Sequence, residues 1–357
     1  MLDIYNCYIK EGFVIKTYNV ASLFAGVGGI CLGFKNAKTV DKLYDLVVAN
    51  EIDSYAAITY RNNFKHELIN EDINEALKTK KKELTAQKVD ILTAGFPCQA
   101  FSIAGGRKGF SDPRGTLFWS IIEYIKLLDN TVGKPRILFL ENVKNLKNHD
   151  DGNTYETIIK SLNDIGYKTK DAILNTYKYS DLPQNRERIY IIGFLNETDY
   201  DNFTFFDNLK LYETHNLTKK DKIKNIKKII AKTADTKYFY TKVKNPLHYD
   251  VLSKGITEKN EFYQFRRAKY VRKNMTGVCP TLTANMGTGG HNVPLICVGK
   301  NKIRKLTPQE TFGLQGFFLY KDYTLPVIAD SHLYKQSGNA VSVPVVNLIA
   351  TEILKIL

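Results

Sequence analysis

A cysteine in the segment GFPCQAFSIAGGRKG, residues 95–109, is the side chain best suited to nucleophilic chemistry. Cys98 follows the apolar run 89–94, which is typical of a buried strand, and it stands between Pro97 and Gln99. A lone cysteine is most often a buried structural thiol, because it packs as a small hydrophobic group. Here the proline, the polar glutamine and the Gly-rich, basic residues that follow favour an accessible nucleophile.

A glycine-rich segment, SLFAGVGGI at residues 22–30, predicts a ligand-binding turn. Gly26, Gly28 and Gly29 let the backbone turn tightly and approach a ligand at the start of the next helix. Glu51 ends the second predicted strand, near the ~20-residue offset at which an acidic side chain binds ribose hydroxyls. The glycines depart from GxGxxG spacing, so S-adenosylmethionine, which lacks a pyrophosphate, fits better than a dinucleotide. A purely structural turn stays open at this point.

The elements that must position these residues form an α/β pattern. Short apolar runs bounded by turn residues alternate with segments of helical spacing, such as 54–64 and 114–130. This alternation predicts a doubly wound, mostly parallel sheet with helices on both faces. A further amphipathic helix is expected over 343–357. The predicted strands are 19–24, 43–51, 89–95, 135–142, 171–175 and 188–194.

The composition excludes several classes of protein. With 43% apolar and 25% charged residues and no long apolar run, the chain reads as a soluble globular protein without a membrane span. The cysteines are odd in number and never spaced as CxxC, which argues against a disulfide framework and a metal site and for a reducing cytoplasm. They are Cys7, Cys31, Cys98, Cys279 and Cys297.

A formal charge of +14 predicts a polyanionic partner. The excess lies in the second half of the chain, where residues 210–244 carry eleven Lys. The segment EFYQFRRAKYVRKN, residues 261–274, then interleaves five basic residues with aromatic ones. A smaller, basic second domain is the simplest account.

Six segments, in this order and spacing, closely resemble the motifs of the DNA cytosine-5 methyltransferases. They cover roughly residues 20–195 and 303–345, and six ordered motifs are far more specific than any one of them. The segments are SLFAGVGGI (22–30) for the cofactor, GFPCQAFSIAGGRKGFSDPRGTLFW (95–119) for the nucleophile, FLENVKNL (139–146) for the catalytic glutamate, PQNRERIYIIGF (183–194) for the arginines, and IRKLTPQETFGLQGF (303–317) and YKQSGNAVSVP (334–344) for the last two motifs.

The resemblance implies a Rossmann-like, S-adenosylmethionine-dependent methyltransferase that flips a cytosine out of a short duplex DNA site. Cys98 would attack ring carbon 6 and so activate carbon 5 for methylation. Glu141 would hold or protonate the ring nitrogen, Arg188 would bind the base carbonyl, and Arg186 would support Arg188. No metal is required.

The same resemblance assigns cofactor-binding residues. Ser22 departs from the family, which usually has an acidic residue there, and Ile52 stands where an aromatic residue is common. The expected cofactor residues are Phe24, Gly26, Gly28 and Gly29 at the turn, Glu51 at the ribose, Ile52, Ile73 and Asp72 at the adenine, and Pro97, Leu117, Asn339 and Val341 closing the pocket.

DNA contacts are expected from two regions. The loop after the cysteine would close over flipped DNA, and the region between the arginine motif and the ninth motif would recognise the target. The expected domains are therefore a catalytic domain, 1–195 completed by 331–357, and a recognition domain, 196–330. The expected contacts are Gln99, Ser102, Arg107 and Arg114 in the loop, and Arg266, Arg267, Arg272, Thr281 and Leu282 in the recognition domain.

Such a chain resembles the modification enzyme of a bacterial restriction system: a cytoplasmic monomer whose partner endonuclease acts on the same site without direct contact. An orphan or phage-borne enzyme is an open alternative. Among rival functions, RNA methylation is disfavoured by the long recognition region. A nicotinamide oxidoreductase leaves the PCQ, ENV and QNRER motifs without a role, and a non-catalytic DNA-binding protein leaves Cys98, Glu141 and Arg188 without one.

Overall fold

The computed structural model describes residues 7–10, 13–96, 116–214, 218–288, 292–300, 302–320 and 322–357. Its strands are β1 (Cys7–Lys10), β2 (Phe13–Leu23), β3 (Lys42–Asn50), β4 (Glu67–Ile69), β5 (Ile91–Gly95), β6 (Ile137–Val143), β7 (Lys168–Asn175), β8 (Glu187–Phe194), β9 (Phe239–Tyr240), β10 (Phe262–Arg266), β11 (Tyr270–Lys273), β12 (Leu295–Gly299) and β13 (Lys302–Lys305).

The α-helices alternate with the strands in the first half of the chain, as the sequence predicts. They are α1 (Gly29–Asn36), α2 (Ser54–Asn63), α3 (Ile73–Thr79), α4 (Lys81–Leu84), α5 (Thr116–Asp129), α6 (Asn153–Asp164), α7 (Glu197–Asn202), α8 (Lys219–Ile229), α9 (Tyr249–Gly255), α10 (Pro308–Gln315), α11 (Asp330–Asn339) and α12 (Val343–Ile356).

The chain divides into two compact units. The first unit comprises residues 1–174, 187–211 and 345–357, and the second comprises 175–186 and 212–344. The predicted functional domains divide the chain at other residues, after 195 and after 330, and stay a prediction.

The first unit is built on a large, mostly parallel sheet, which confirms the predicted fold class. Its strand order is β4-β3-β2-β5-β6-β8-β7, and β1 pairs with β2 outside this path. The pairs β2/β3, β3/β4, β2/β5 and β5/β6 are parallel, whereas β6/β8 is antiparallel. The strands are buried among helices, and the core includes fully buried residues such as Leu92, Leu138 and Ile125.

The strand order reverses between β2 and β5. From β2 the chain first adds β3 and β4 on one side, and then adds β5 and β6 on the other. Loops that leave neighbouring strands in opposite directions open a crevice at the carboxyl edge of an α/β sheet, and ligands bind there. In this chain the crevice is flanked by the turn after Leu23 and by the end of β5 at Gly95, which adjoin the two segments that the sequence singles out.

Helix α12 completes the first unit from the far end of the chain. The Tyr44 hydroxyl donates to the Ala350 carbonyl at 2.9 Å, and the Asn347 amide donates to the Gly33 carbonyl at 3.0 Å. A Cβ at Gly33 would lie 2.6 Å from the Val346 side chain, so only glycine permits this close approach of α1 and α12.

Among the described residues, the stretch Asp330–Ile356 has the length and composition of a membrane span, and 56% of its apolar window is buried. A helix inside a protein core gives the same weak signal. Helix α12 is a core helix here, because seven of its residues are 0–1% exposed: Val343, Val345, Val346, Ile349, Ala350, Ile353 and Leu354.

The second unit contains an antiparallel sheet in the order β11-β10-β12-β13-β9. One face carries an apolar cluster that includes Leu252, Phe265 and Ile303. A separate cluster, which includes Leu282 and Leu306, joins the sheet to the surrounding helices and turns.

A fully buried ion pair holds the second unit together. Arg304 and Glu310, each 1% exposed, form a bidentate pair with N–O distances of 2.6 and 2.7 Å. The same carboxylate accepts from the backbone amides of Ala231 and Thr307, both at 2.8 Å. One side chain therefore caps α10 and ties it to β13 and to the segment after α8.

We expect Glu310→Gln to lower the free energy of unfolding by about 3 kcal/mol, because it leaves the Arg304 charge buried without a counterion. Urea denaturation of the two proteins measures the difference. Glu123→Gln is the matched control, because Glu123 and Lys126 form an exposed pair with side chains 51% and 56% accessible. That change should cost less than about 0.5 kcal/mol. Equal costs for the two substitutions would contradict the role assigned to the buried pair.

Candidate active site

The predicted glycine turn lies at the crevice and has a left-handed backbone. Phe24, Gly26 and Gly28 have φ values of 55°, 57° and 82°. A Cβ at Gly28 would lie 2.2 Å from the Phe64 ring, whereas one at Gly26 would meet nothing within 4 Å. The turn therefore needs glycine at 28 for both conformation and space, and it leaves the side of Gly26 open.

The Glu51 carboxylate fixes this turn. One oxygen accepts from the Gly26 amide and the other from the Asp53 amide, both at 2.7 Å. Burial raises the pKa of Glu51, and these backbone hydrogen bonds oppose the rise. Each carboxylate oxygen has a further acceptor position, which a ribose hydroxyl can use.

Of the three residues predicted at the adenine, the structure leaves two side chains accessible. Ile52 is 62% exposed, although it is apolar. Asp72 is half-buried and caps α3, with one oxygen accepting from the Asn74 amide at 2.8 Å. Ile73 is 2% exposed and packs in the core, so its contact with adenine stays a prediction.

Two asparagines that the sequence reasoning missed organise this edge of the site. The Asn70 amide donates to the carbonyls of Glu51 and Ile52 at 2.7 and 3.3 Å, and the Asn50 amide donates to those of Ile69 and Glu71 at 3.1 and 2.9 Å. Asn50 lies near the end of the predicted strand 43–51, which is a signal that could have found it, whereas Asn70 follows β4, which is not among the predicted strands. An accessible apolar side chain beside a carboxylate and a tight turn fits the nucleoside and amino-acid parts of S-adenosylmethionine.

Glu141 and Arg188 come together on neighbouring strands of the first unit. Val143 of β6 is opposite Arg188 of β8, so Glu141, two residues earlier, lies on the same face. Arg188 Nε lies 3.1 Å from Glu141 Oε1, and the two side chains are 14% and 10% accessible. A carboxylate beside a guanidinium presents an acceptor and donors along one edge. This pattern matches the ring nitrogen, amino group and carbonyl of cytosine.

The strand that leads to the cysteine is joined to this pair. Gly95 of β5 is in register with Glu141 of β6, and a Cβ at Gly95 would lie 3.6 Å from Glu141 Oε2. The Asn142 amide donates to the Phe96 carbonyl at 2.9 Å. The predicted nucleophile, Cys98, follows two residues later in the chain. Six predicted site residues lie outside the described residues: Pro97, Cys98, Gln99, Ser102, Arg107 and Arg114.

Arg186 belongs to the second unit, although it is two residues from Arg188 in the chain. Its side chain is 2% exposed and donates to the carbonyls of Leu282, at 2.9 Å, Gly338, at 3.3 Å, and Ala340. These contacts hold backbone segments together, and the predicted catalytic support by Arg186 stays a prediction.

The predicted Thr281-Leu282 pair is held by the residues before Arg186. The Thr281 hydroxyl donates to the Asn185 carbonyl at 2.6 Å, and the Leu282 amide lies 3.4 Å from Gln184 Oε1. A Cβ at Gly338 would lie 2.2 Å from the Thr283 backbone, so this segment also packs against α11 without room for a side chain. The sequence predicted neither the role of Gln184 nor that of Gly338.

The remaining predicted residues occupy varied environments. Leu117 is half-buried at the start of α5, against the core of the first unit. Asn339 and Val341 belong to the second unit, exposed and buried respectively, and their part in the cofactor pocket stays a prediction. The arginines predicted to contact DNA, Arg266, Arg267 and Arg272, are all exposed. Within the described ranges, no group of three or more His, Cys, Asp or Glu residues could hold a metal ion.

A buried polar chain lies behind the glycine turn. The Tyr60 hydroxyl lies 3.1 Å from Cys31 Sγ and 2.7 Å from His66 Nε2. Burial, together with the nearby Lys35 ammonium, lowers the pKa of His66 to about 4. Burial raises the pKa of the Cys31 thiol, against hydrogen bonds from Ser22 and Tyr60. Both groups are therefore neutral at pH 7.

The chain matches the model of the family described as C-5 cytosine-specific DNA methylase over residues 18–355. It is 47% identical over 337 residues to the Type II methyltransferase M.Bsp6I of Bacillus sp. (strain RFL6), covering 94% of this chain and 98% of that protein. It is 35% identical over 353 residues to M.HpaII of Haemophilus parainfluenzae, covering 95% and 90%.

Solved structures share the fold at much lower identity. The Dnmt2 methyltransferase of S. pombe superimposes with a TM-score of 0.67 at 19% identity, covering 95% of this chain and 99% of that one. The Entamoeba histolytica methyltransferase EhMeth gives a TM-score of 0.66, also at 19% identity, covering 95% and 98%.

We expect Gly28→Ala to destabilise the protein by about 2–4 kcal/mol and to weaken binding of S-adenosylmethionine, since it combines left-handed strain with the clash against Phe64. Gly26→Ala is the matched control: it carries the strain alone and should cost about 1 kcal/mol. Denaturation and calorimetric titration with S-adenosylmethionine measure both effects. A Gly28→Ala protein as stable as Gly26→Ala would show that the Phe64 ring yields to the new methyl group.

The His66 pKa predicts a pH dependence of stability. His66 takes up a proton less readily in the folded protein than in the unfolded chain, where its pKa is about 6.5. Its contribution to stability is therefore complete above about pH 6.5 and is lost as the pH falls towards 4. The free energy of unfolding of the wild type should therefore fall more between about pH 7 and pH 5 than that of His66→Gln, which cannot take up a proton. Urea titrations at the two pH values test this, and parallel losses in both proteins would contradict it.

Proposed function

The chain belongs to the C-5 cytosine-specific DNA methylase family and is a DNA cytosine-5 methyltransferase of the Type II restriction–modification type, and we propose that it acts by base flipping and a covalent bond between Cys98 and the target cytosine. The observation that carries this proposal is the Glu141–Arg188 pair on the strand face beside Gly95, from which the chain runs directly to Cys98.

Attack on the base requires a thiolate and an acceptor for the developing charge. A cytosine inside a duplex cannot be reached, so the base is extruded into the pocket. The Cys98 sulfur forms a bond to carbon 6, and electron density moves to carbon 5. Glu141 holds or protonates the ring nitrogen, while the Arg188 guanidinium donates to the carbonyl oxygen and stabilises negative charge there. The 3.1 Å contact between the two side chains supports their action on one edge of a single base.

When bound, S-adenosylmethionine supplies an electrophilic methyl group on a sulfonium. The turn from Phe24 to Gly29, with Glu51, Ile52 and Asp72, would hold the cofactor and orient this group towards the base; Ile73, Pro97, Leu117, Asn339 and Val341 are proposed to complete the pocket. After carbon 5 has accepted the methyl group, its proton leaves, the bond between carbon 6 and sulfur breaks, and the Cys98 thiolate is regenerated.

Binding to duplex DNA is proposed for the loop after Cys98 and for the second unit. The loop residues Gln99, Ser102, Arg107 and Arg114 would contact the flipped site. Helix α8 carries Lys side chains along Lys219–Ile229, and its net charge suits phosphates more than bases. Thr281 and Leu282, held against Gln184 and Asn185, are proposed to lie near the target base pair.

The proposed physiological setting follows from the restriction–modification type. We infer a cytoplasmic monomer that methylates one short site, with a partner endonuclease that acts on the same site without direct contact.

We expect Cys98→Ser to lower the rate of methyl transfer by about 10³-fold or more while it retains S-adenosylmethionine binding, since a hydroxyl is a far weaker nucleophile at neutral pH. Glu141→Gln should lower the rate by about 10²-fold, because an amide cannot protonate the ring. Transfer of a radiolabelled methyl group to unmethylated plasmid, followed by bisulfite sequencing, measures the rate and reveals the site.

Glu187→Gln is the control for Glu141→Gln. Glu187 lies on β8 next to Arg188, but its side chain is 38% accessible and pairs with Lys144. It should keep nearly full activity. Full activity of the Cys98→Ser protein would overturn the covalent mechanism, and uniform bisulfite conversion by an S-adenosylmethionine-bound wild type would overturn DNA as the substrate.

A further inference from the structure

The hairpin β10–β11 of the second unit has one buried face and one polar face. In its antiparallel register, Gln264 is opposite Arg272 and Arg266 is opposite Tyr270. Phe265, which lies between Gln264 and Arg266, is 2% exposed and points to the opposite side, into the core. The outward face therefore carries two guanidinium groups, an amide and a phenol.

The outer part of this hairpin is a two-stranded ribbon. Strand β12 pairs with β10 at Phe262 and Tyr263, and β11 is the edge strand of the sheet. In the described part of the second unit, β10 beyond Tyr263 pairs with β11 alone. A two-stranded ribbon is one of the two protein elements that the DNA major groove admits.

A cleft of about 580 Å³ lies beside the ribbon. One wall is formed by Gln264 and Arg266, and the other by Thr281, Thr283 and Asn285. The second wall is the segment already anchored by Arg186 and by the backbone of Asn185.

The side chains on the ribbon side of this cleft have no polar partner within the described part of the protein. Over the described ranges, the side chains of Gln264 and Arg266 make no hydrogen bond or ion pair. Gln264 is half-buried, and its amide is not among the fully buried polar groups, so its donors and acceptor remain accessible to a ligand. Arg272 shares the outer face but does not line the cleft.

The chemistry of these groups matches base edges. Arginine donates to O6 and N7 of guanine in a bidentate manner, and glutamine pairs with N6 and N7 of adenine. Reading a base requires a side chain held in place, and a regular strand holds it better than a turn does. Gln264 and Arg266 are on such a strand, two residues apart on one face.

We propose that the outer face of the β10–β11 ribbon reads base pairs in the major groove across this cleft, with Arg266 recognising a guanine and Gln264 the neighbouring base pair. Arg272, outside the cleft, contacts a phosphate. This assignment rests on the proposed action on duplex DNA and identifies which side chains set the methylated sequence.

The test compares Arg266→Lys with Arg272→Lys and Arg272→Ala on a library of random duplex DNA, read by bisulfite sequencing. We expect Arg266→Lys to lower the preference for one guanine of the methylated site by roughly 10- to 100-fold, because lysine cannot make the bidentate contact. Gln264→Ala should relax the neighbouring position. Both Arg272 variants should methylate the wild-type site. Arg272→Ala should also weaken binding to all sequences and reduce the slope of log Kd against log salt by about 1.

Where turnover of a variant is slow, the ratio of Kd for random duplex to Kd for the wild-type site gives the same comparison. Equal melting temperatures confirm that these substitutions leave the fold intact. The proposed reading would be overturned if the Arg266→Lys and Gln264→Ala proteins both methylated the same sequence as the wild type. It would also be overturned if Arg266→Lys lowered methylation equally for all sequences. Failure of the wild type to methylate any duplex would instead overturn the proposed function, and this assignment with it.

Discussion

The register of three neighbouring strands is the constraint on which the proposed active site depends. Parallel pairing sets Gly95 of β5 against Glu141 of β6, and antiparallel pairing sets Val143 of β6 against Arg188 of β8. A shift of one residue in either ladder would turn its side chains to the other face of the sheet. The Glu141–Arg188 contact, and its closeness to the strand that leads to Cys98, therefore depend on this register, which buries apolar residues of the same strands such as Leu138, Leu140 and Ile191. The geometry proposed for catalysis is therefore set by the packing of the core.

Much of the fold could be predicted from the sequence because the signals are local. Each buried strand is a short apolar run, and the turn after β2 needs glycine, so runs such as 89–95 and 188–194 correspond to β5 and β8. Glu141 and Arg188 were located by a different signal, the resemblance of FLENVKNL and PQNRERIYIIGF to the motifs of a known family, and both motifs lie at the ends of predicted strands. Their positions at the sheet edge could be inferred, but their mutual contact could not.

What the sequence could not reveal depends on long-range packing. Ile73 reads as an ordinary apolar residue after a strand, and only the assembled core explains why it is 2% exposed while Ile52 is 62% exposed. Arg186 and Arg188 look equivalent in QNRER, yet one binds buried carbonyls of the second unit and the other pairs with Glu141 in the first. Thr281 donates to a carbonyl 96 residues earlier in the chain, and the sequence around Thr281 gives no signal of this contact.

The return of α12 to the first unit has a consequence for synthesis of the protein. Tyr44 and Tyr18 donate to carbonyls 306 and 339 residues later, so β2 and β3 lack part of their cover until residues 345–357 have left the ribosome. The first unit cannot be completed until most of the second unit has been translated, and contacts so distant in sequence form slowly. In a cell where an endonuclease cuts unmodified DNA, this delay makes protection lag behind gene expression by at least the time needed to translate residues 212–344.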